Sequence, residues 1–163
     1  MVNFQAVSGT VTAINDFFMG SNDSMTGCYL LFTVENRNGS VVNFVVEPET
    51  YFVDHVLVKV GDQVTGFYDA DLPVPLIYPP QYRAFVIAKN RPDQFVDVDY
   101  YNYQLVNSKG SLKLNLSRQT KIVLENGQAF TRNPANRELI VVYSATTRSI
   151  PAQTTPSQVI VMC

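Results

Sequence analysis

The sequence predicts an all-β protein: an OB-like five-stranded barrel over residues 1–90, followed by a second, packed β-rich half over 91–163. Three observations predict it. Apolar and polar residues alternate in five segments between Ala6 and Lys89, the period of two that a half-buried strand imposes. Asn-Gly and Gly-Asp pairs punctuate those segments as turns do. The composition, with 10 Phe, 9 Tyr and many Val, favours a pleated, half-buried backbone.

The elements follow in order. In the first strand Val7, Gly9, Val11 and Ala13 share the inward face, with Ser8, Thr10 and Thr12 outward. A polar loop, Gly20-Ser21-Asn22-Asp23-Ser24, leads to a second strand whose inward face is Cys28, Leu30, Phe32 and Val34. Asn38-Gly39 suits a type I′ hairpin turn, because both residues tolerate positive φ. Val42, Phe44 and Val46 line the return strand. Pro48 ends that ladder, and Glu49 to Val56 is long enough for a turn or two of helix, with Phe52 and Val56 on one side. A Gly61-Asp62 turn opens the fourth strand, where Val64, Gly66 and Tyr68 alternate. Arg83 to Lys89 supplies the fifth, with Arg83, Phe85 and Ile87 on one face. A glycine in the first strand fits a sheet that bends to close on itself. An irregular β-sandwich is the nearest rival.

Beyond Asn90-Arg91-Pro92-Asp93, read as a linker, the texture remains β. Phe95 to Tyr100 and Leu112 to Leu116 alternate, with a turn at Asn107-Ser108-Lys109-Gly110 between them. Lys121 to Leu124 runs into a second Asn-Gly turn at Asn126-Gly127. Leu139 to Tyr143 and Val159 to Met162 are continuous apolar runs, as expected of strands buried on both faces. Ser144 to Ser157 must be an ordered loop or a long crossover. This half is short for an independent core, so the halves are expected to pack together.

Charge is unevenly distributed. Residues 1–90 hold four basic and nine acidic side chains, a balance of −5, and residues 91–163 hold eight and five, a balance of +3. A nucleic-acid groove should be positive. The barrel half is acidic, so a polyanion would seek the basic cluster of Lys109, Lys113, Arg118, Lys121, Arg132, Arg137 and Arg148. The plainer reading is that these are solvated positions, or that oppositely charged halves attract each other or a second subunit.

The aromatic residues make the best case for a ligand. Leu72-Pro73-Val74-Pro75-Leu76-Ile77-Tyr78-Pro79-Pro80-Gln81-Tyr82 joins the fourth and fifth strands. In OB-type barrels that connection borders the binding face for oligonucleotides and oligosaccharides. Tyr78 and Tyr82, with Tyr68, would then be stacking platforms. The preferred reading is a stiff lid in which Leu76, Ile77 and Tyr78 plug an open barrel end, because that run is costly to leave wet.

Catalytic and metal signals are weak. His55 is the only histidine, between apolar neighbours, and reads as a capping or packing residue. Asp69 with Asp71, and Asp97 with Asp99, are spaced to share a face and could serve as acid and base or hold a hard cation. Carboxylates at exposed strand ends, which discourage edge pairing, explain them more simply. Asn22-Asp23 lacks the spaced acidic ligands of a calcium loop. No phosphate loop, dinucleotide fingerprint or Cys-x-x-Cys occurs. No metal and no cofactor is therefore expected. Cys28 and Cys163 are too few for a disulfide framework, and Cys28 is expected as a buried, inert thiol. With no apolar run of membrane length and no basic, apolar leader, the expectation is a cytoplasmic protein without a membrane partner.

Tyr51-Phe52-Val53-Asp54, Val60 to Ala70, Pro79 to Ala84 and Arg148 to Pro156 carry a resemblance. In these segments the chain resembles a group of functionally uncharacterised proteins from clostridia and related Gram-positive bacteria. The resemblance implies a bacterial origin and a compact all-β module, and it transfers no functional residue.

The expected function is thus a non-catalytic binding or protein-interaction module, with a protein partner or a second copy of the chain as the candidate partners. The alternative is an OB-type binder of single-stranded nucleic acid or oligosaccharide, using Tyr68, Tyr78 and Tyr82 with Lys109, Lys113, Arg118 and Lys121. An enzyme built on an acidic pair is the least favoured.

Overall fold

A computed structural model describes residues 1–18 and 23–163. The predicted turn residues Gly20, Ser21 and Asn22 lie outside the described residues, as does the Asn22 half of the weak calcium motif. The described chain is all-β, with two short 3-10 turns. It divides into two compact units, Asn3–Asn90 and Met1–Val2 with Arg91–Cys163.

In the first unit, β1 (Phe4–Asp16) is long enough to serve two partners. Its first half pairs antiparallel with β5 (Gln63–Asp69) and its second half with β2 (Leu30–Glu35), the handover falling at Thr10. β2 pairs with β3 (Val41–Val46), placing Phe32 opposite Phe44. The segment that returns after the proline-rich loop is broken. β6 (Gln81–Arg83) lies parallel to β3, and β7 (Val86–Lys89) lies antiparallel to β5. Between them, Ala84 N–H donates to the Val45 carbonyl at 3.0 Å and Phe85 N–H to the Phe67 carbonyl at 2.8 Å. Residues 81–89 are therefore hydrogen-bonded to the strands at both ends of the β5-β1-β2-β3 series.

The core of this unit follows the predicted alternation, with instructive exceptions. Val11, Phe32, Val34, Phe44, Val46 and Val64 are buried together. Ala13 was expected inward, but the β1–β2 register slips between Val11 and Ala13. Thr12 is the extra residue of a β-bulge, which reverses the faces beyond it and turns Ile14 toward the core. The break at Ala84–Phe85 likewise sets Ala84 and Ile87 in one cluster although strict alternation separates them.

Three local expectations are corrected. The Asn38-Gly39 turn is not type I′, because only Gly39 takes positive φ (80°). Gly39 N–H donates to the Asn36 carbonyl, and the Asn36 side chain accepts from Asn38 and Ser40 N–H, which completes a three-residue loop. Residues 49–56 form no α-helix. β4 (Tyr51–Phe52) pairs parallel with β7, and the following 3-10 turn contains Asp54 and His55 at φ 60° and 50°. His55 is exposed beside the Tyr51 ring at 5.4 Å. Cys28 lies before β2, exposed and free, rather than buried within it; its thiol donates to the Ser24 carbonyl at 3.6 Å.

The second unit contains a four-stranded sheet and a two-stranded one. The sheet runs β10 (Lys121–Leu124), β13 (Gln158–Val161), β11 (Arg137–Tyr143), β8 (Phe95–Tyr101), with β10 and β13 parallel. The two apolar runs provide its middle strands, and Leu139 to Val142 and Val159 to Val161 are all buried. β9 (Leu112–Leu114) pairs parallel with β12 (Ala152–Thr154), so the stretch read as loop or crossover contains a short strand. Tyr101, Leu112, Leu114, Leu139, Val141, Val159 and Val161 form this unit's core.

Candidate functional site

The loop between β5 and β6 is pinned at both ends and free at its tip. At its start the Asp69 carboxylate accepts from Asn3 and Asp71 N–H, and Ala70 N–H donates to the Asn3 carbonyl. At its end the Pro80 carbonyl accepts from Asn43 N–H at 2.8 Å. Residues 72–80 carry four prolines and no charge. Proline removes donors and narrows the unfolded ensemble, so little entropy is lost in holding the tip.

The tip does not cover the core as a lid. Leu76 is 101% exposed, Ile77 55% and Tyr78 79%. Valine and phenylalanine side chains, with Ala84 and Ile87, fill the interior without them, so the plug has nothing to fill. The inner side of the loop instead walls a groove of about 360 Å³, whose other walls include Phe17, Tyr29, Val45 and Tyr82. Its charged groups are Glu47 and Arg83, paired with each other, and Asp69. The Arg83 guanidinium also lies 4.8 Å from the centre of the Phe85 ring. Asp71 is exposed beyond the groove.

Of the tyrosines singled out in the sequence, Tyr68 and Tyr82 are brought together and Tyr78 stands apart on the tip. Tyr68 and Tyr82 stack on each other at 3.9 Å and 11°, half-buried over Phe44. Burial and the neighbouring Tyr82 hold the Tyr68 phenol above its ordinary range. The stack occupies one face of each ring, leaving Tyr78 as the exposed ring of the three.

The basic positions are spread through the second unit. Lys121 opens β10 opposite Gln158, and Lys113 lies on the separate two-stranded sheet opposite Gln153. Lys109 belongs to the turn closed by Gly110 N–H on the Asn107 carbonyl, and Arg118 to the turn closed by Thr120 N–H on Ser117. Arg137 lies over Phe130 at 4.7 Å.

Asp97 and Asp99 are not exposed strand-end carboxylates. Asp99 is 2% exposed and accepts from Tyr100 N–H, Ser108 N–H and the Ser108 hydroxyl at 2.7–3.0 Å. Asp97 accepts from the Tyr101 hydroxyl and from the Asn107 amide. Asn107 in turn accepts from Ser111 and Leu112 N–H. Burial pushes the Asp97 carboxyl up, and burial together with the Asp97 charge pushes the Tyr101 phenol up. With both Asp99 oxygens and Asp97 Oδ2 engaged by the chain's own donors, this is a tie between β8 and residues 102–111. Sequence reasoning missed Tyr101, Asn107 and Ser108; the one available signal was the polar Asn-Ser-Lys-Gly-Ser turn ten residues after two carboxylates.

Among the described residues no helix is long and apolar enough to cross a membrane. No protein-family model, curated protein or solved structure matches the chain.

Proposed function

We propose that the chain is a non-catalytic protein-interaction module whose recognition surface is the uncharged loop 72–80 with the groove beside it. The observation that carries this reading is the exposure of Leu76, Ile77 and Tyr78 on a segment stiffened by proline. Large apolar side chains grouped at the surface have a free-energy incentive to be covered, and a preorganised loop loses little entropy when they are. Asp69 and the acidic balance of residues 1–90 favour a partner segment with apolar side chains flanked by Lys or Arg.

We read residues 3–90 as an OB-type barrel. Supporting this are the pairing of one strand with two partners at Thr10 and the bonding of residues 81–89 to both β3 and β5. In that frame the loop borders the usual binding face of the fold. The alternative, a binder of single-stranded nucleic acid or oligosaccharide on this face, has one favouring observation, the exposed Tyr78 ring. The acidic charge of the unit opposes the nucleic-acid form of it. A bacterial origin is retained on the resemblance alone.

The test is a photo-crosslinking residue placed at position 76 and, as a control, at exposed position 59, in the source cell. Position 76 is expected to yield one discrete protein adduct that position 59 does not. Adducts to nucleic acid alone, or none at 76, would overturn the reading.

A further inference from the structure

Where β1 passes from β5 to β2, the first unit has a second concavity, a cleft of about 670 Å³. That volume lies within the roughly 300–1,000 Å³ of small-molecule sites. Thr10 marks the handover, paired with Gln63 on one side and Glu35 on the other. Gly9 forms the floor, and a Cβ there would stand 2.5 Å from the Glu35 carbonyl oxygen. Glu35, Arg37, Asn38, Gln63 and Asn90 form the walls, with no aliphatic or aromatic side chain among the lining residues.

These groups are available to a ligand. Among the described residues, the side chains of Glu35, Arg37, Asn38 and Gln63 make no hydrogen bond or ion pair, although a carboxylate and a guanidinium line the same cleft. Asn90 is oriented from behind: the Ser8 and Thr65 hydroxyls are 2.7 Å apart, and Thr65 donates to the Asn90 amide oxygen at 2.8 Å. Its amide N–H groups are left for the cleft.

The mixture of groups selects the ligand class. A polyanion would meet Glu35 and a polycation Arg37. An apolar ligand would strip water from carboxylate, guanidinium and amides and return no hydrogen bonds, a cost at each group. A neutral ligand bearing many hydroxyls donates to Glu35 and to the amide oxygens, and accepts from Arg37 and the amide nitrogens. We propose that this cleft binds a neutral oligosaccharide. The site is separate from loop 72–80 and uses no aromatic platform.

The test is a titration of the 15N-labelled chain with chitotetraose, cellotetraose, maltotetraose and xylotetraose, followed by amide chemical shifts, with the deoxynucleotide dT10 as an anionic control. At least one oligosaccharide is expected to give saturable shifts centred on residues 8–12, 35–38, 63 and 90. The double variant Asn38→Ala with Gln63→Ala, both exposed positions, should bind that oligosaccharide about tenfold more weakly at an unchanged melting temperature. Saturation by none of the four, shifts centred on 72–80 instead, dT10 shifting the cleft amides, or wild-type affinity in the double variant would each overturn the proposal.

Discussion

Gly9→Ala is expected to destabilise the first unit by about 3 kcal/mol, near the upper end of overpacking effects. The cause is local and backbone-based. A Cβ at position 9 would lie 2.5 Å from the Glu35 oxygen, 2.8 Å from its carbonyl carbon and 2.8 Å from a Val34 methyl. The carbonyl cannot swing away as a side chain does, because Glu35 is held in register with Thr10 and Val41. Relief requires β1 and β2 to separate where β1 changes partners. Gly66→Ala makes a useful comparison: its Cβ would meet the Phe44 ring at 2.6 Å, a side-chain contact, but that ring is fully buried beneath the stacked Tyr68 and Tyr82. Urea unfolding of both variants measures the two costs. A Gly9→Ala change below 1 kcal/mol, roughly the helix or strand propensity scale, would contradict the close approach of β1 and β2.

Asp99→Ala is expected to cost about 3 kcal/mol in the second unit, because it leaves the Ser108 and Tyr100 N–H groups without their buried acceptor. Asp99→Asn keeps one acceptor oxygen and should cost less. Amide exchange across 102–111 should accelerate in Asp99→Ala, since the tie from β8 to Ser108 is lost. The same network sets a pH dependence. Burial raises the folded Asp97 carboxyl above its unfolded value, so the folded chain holds that proton more tightly. This contribution is complete below the unfolded value of about 3.9 and is lost as pH rises through the folded one. Asp97→Asn removes it. Tyr101 and Tyr143 act in the alkaline range, where burial keeps their phenols protonated while the unfolded chain releases protons from about pH 10 upward. Stability therefore falls as pH rises past that point, and Tyr101→Phe should shift the alkaline transition upward relative to its own neutral-pH stability.

What the sequence revealed depended on how local the cause was. Alternation in Phe32, Val34, Phe44 and Val46 was legible because the period of a strand is written along the strand itself. The Thr12 bulge was not, because an extra residue becomes visible only against a partner's register. Residues 49–56 carry helix-like spacing in Phe52 and Val56, yet Asp54 and His55 take left-handed backbone angles while Tyr51 pairs with β7, a contact more than thirty residues away. A lid of Leu76 to Tyr78 is what the cost of wet apolar surface predicts, and it is absent because side chains from β1, β2, β3, β5 and β7, with Val58 and Ala84, fill the interior. Asp97 and Asp99 were read as edge charges because the donors that bury them, Asn107 and Ser108, belong to a turn whose position only the fold supplies. Cys28 alternates with Leu30 and Phe32 in the sequence, but the strand begins two residues after it, at Leu30.

For the candidate site, the loop and Tyr78, Tyr82 and Tyr68 were visible as an aromatic, proline-rich cluster. The groove was not, since Phe17, Tyr29 and Val45 reach it from other elements. The polar cleft was hidden for the same reason: Ser8, Glu35, Gln63 and Asn90 meet only through the pairing of β1 with two strands.

On the proposed function, a protein partner would cover loop 72–80 in the cell. Carbene footprinting of the chain inside the source cell, compared with the purified chain, tests it at side-chain level. Labelling at Leu72, Val74, Leu76, Ile77 and Tyr78 should fall several-fold in the cell, while labelling at the exposed Leu57 and Val60 stays constant. Equal labelling of the loop in both settings would contradict the account.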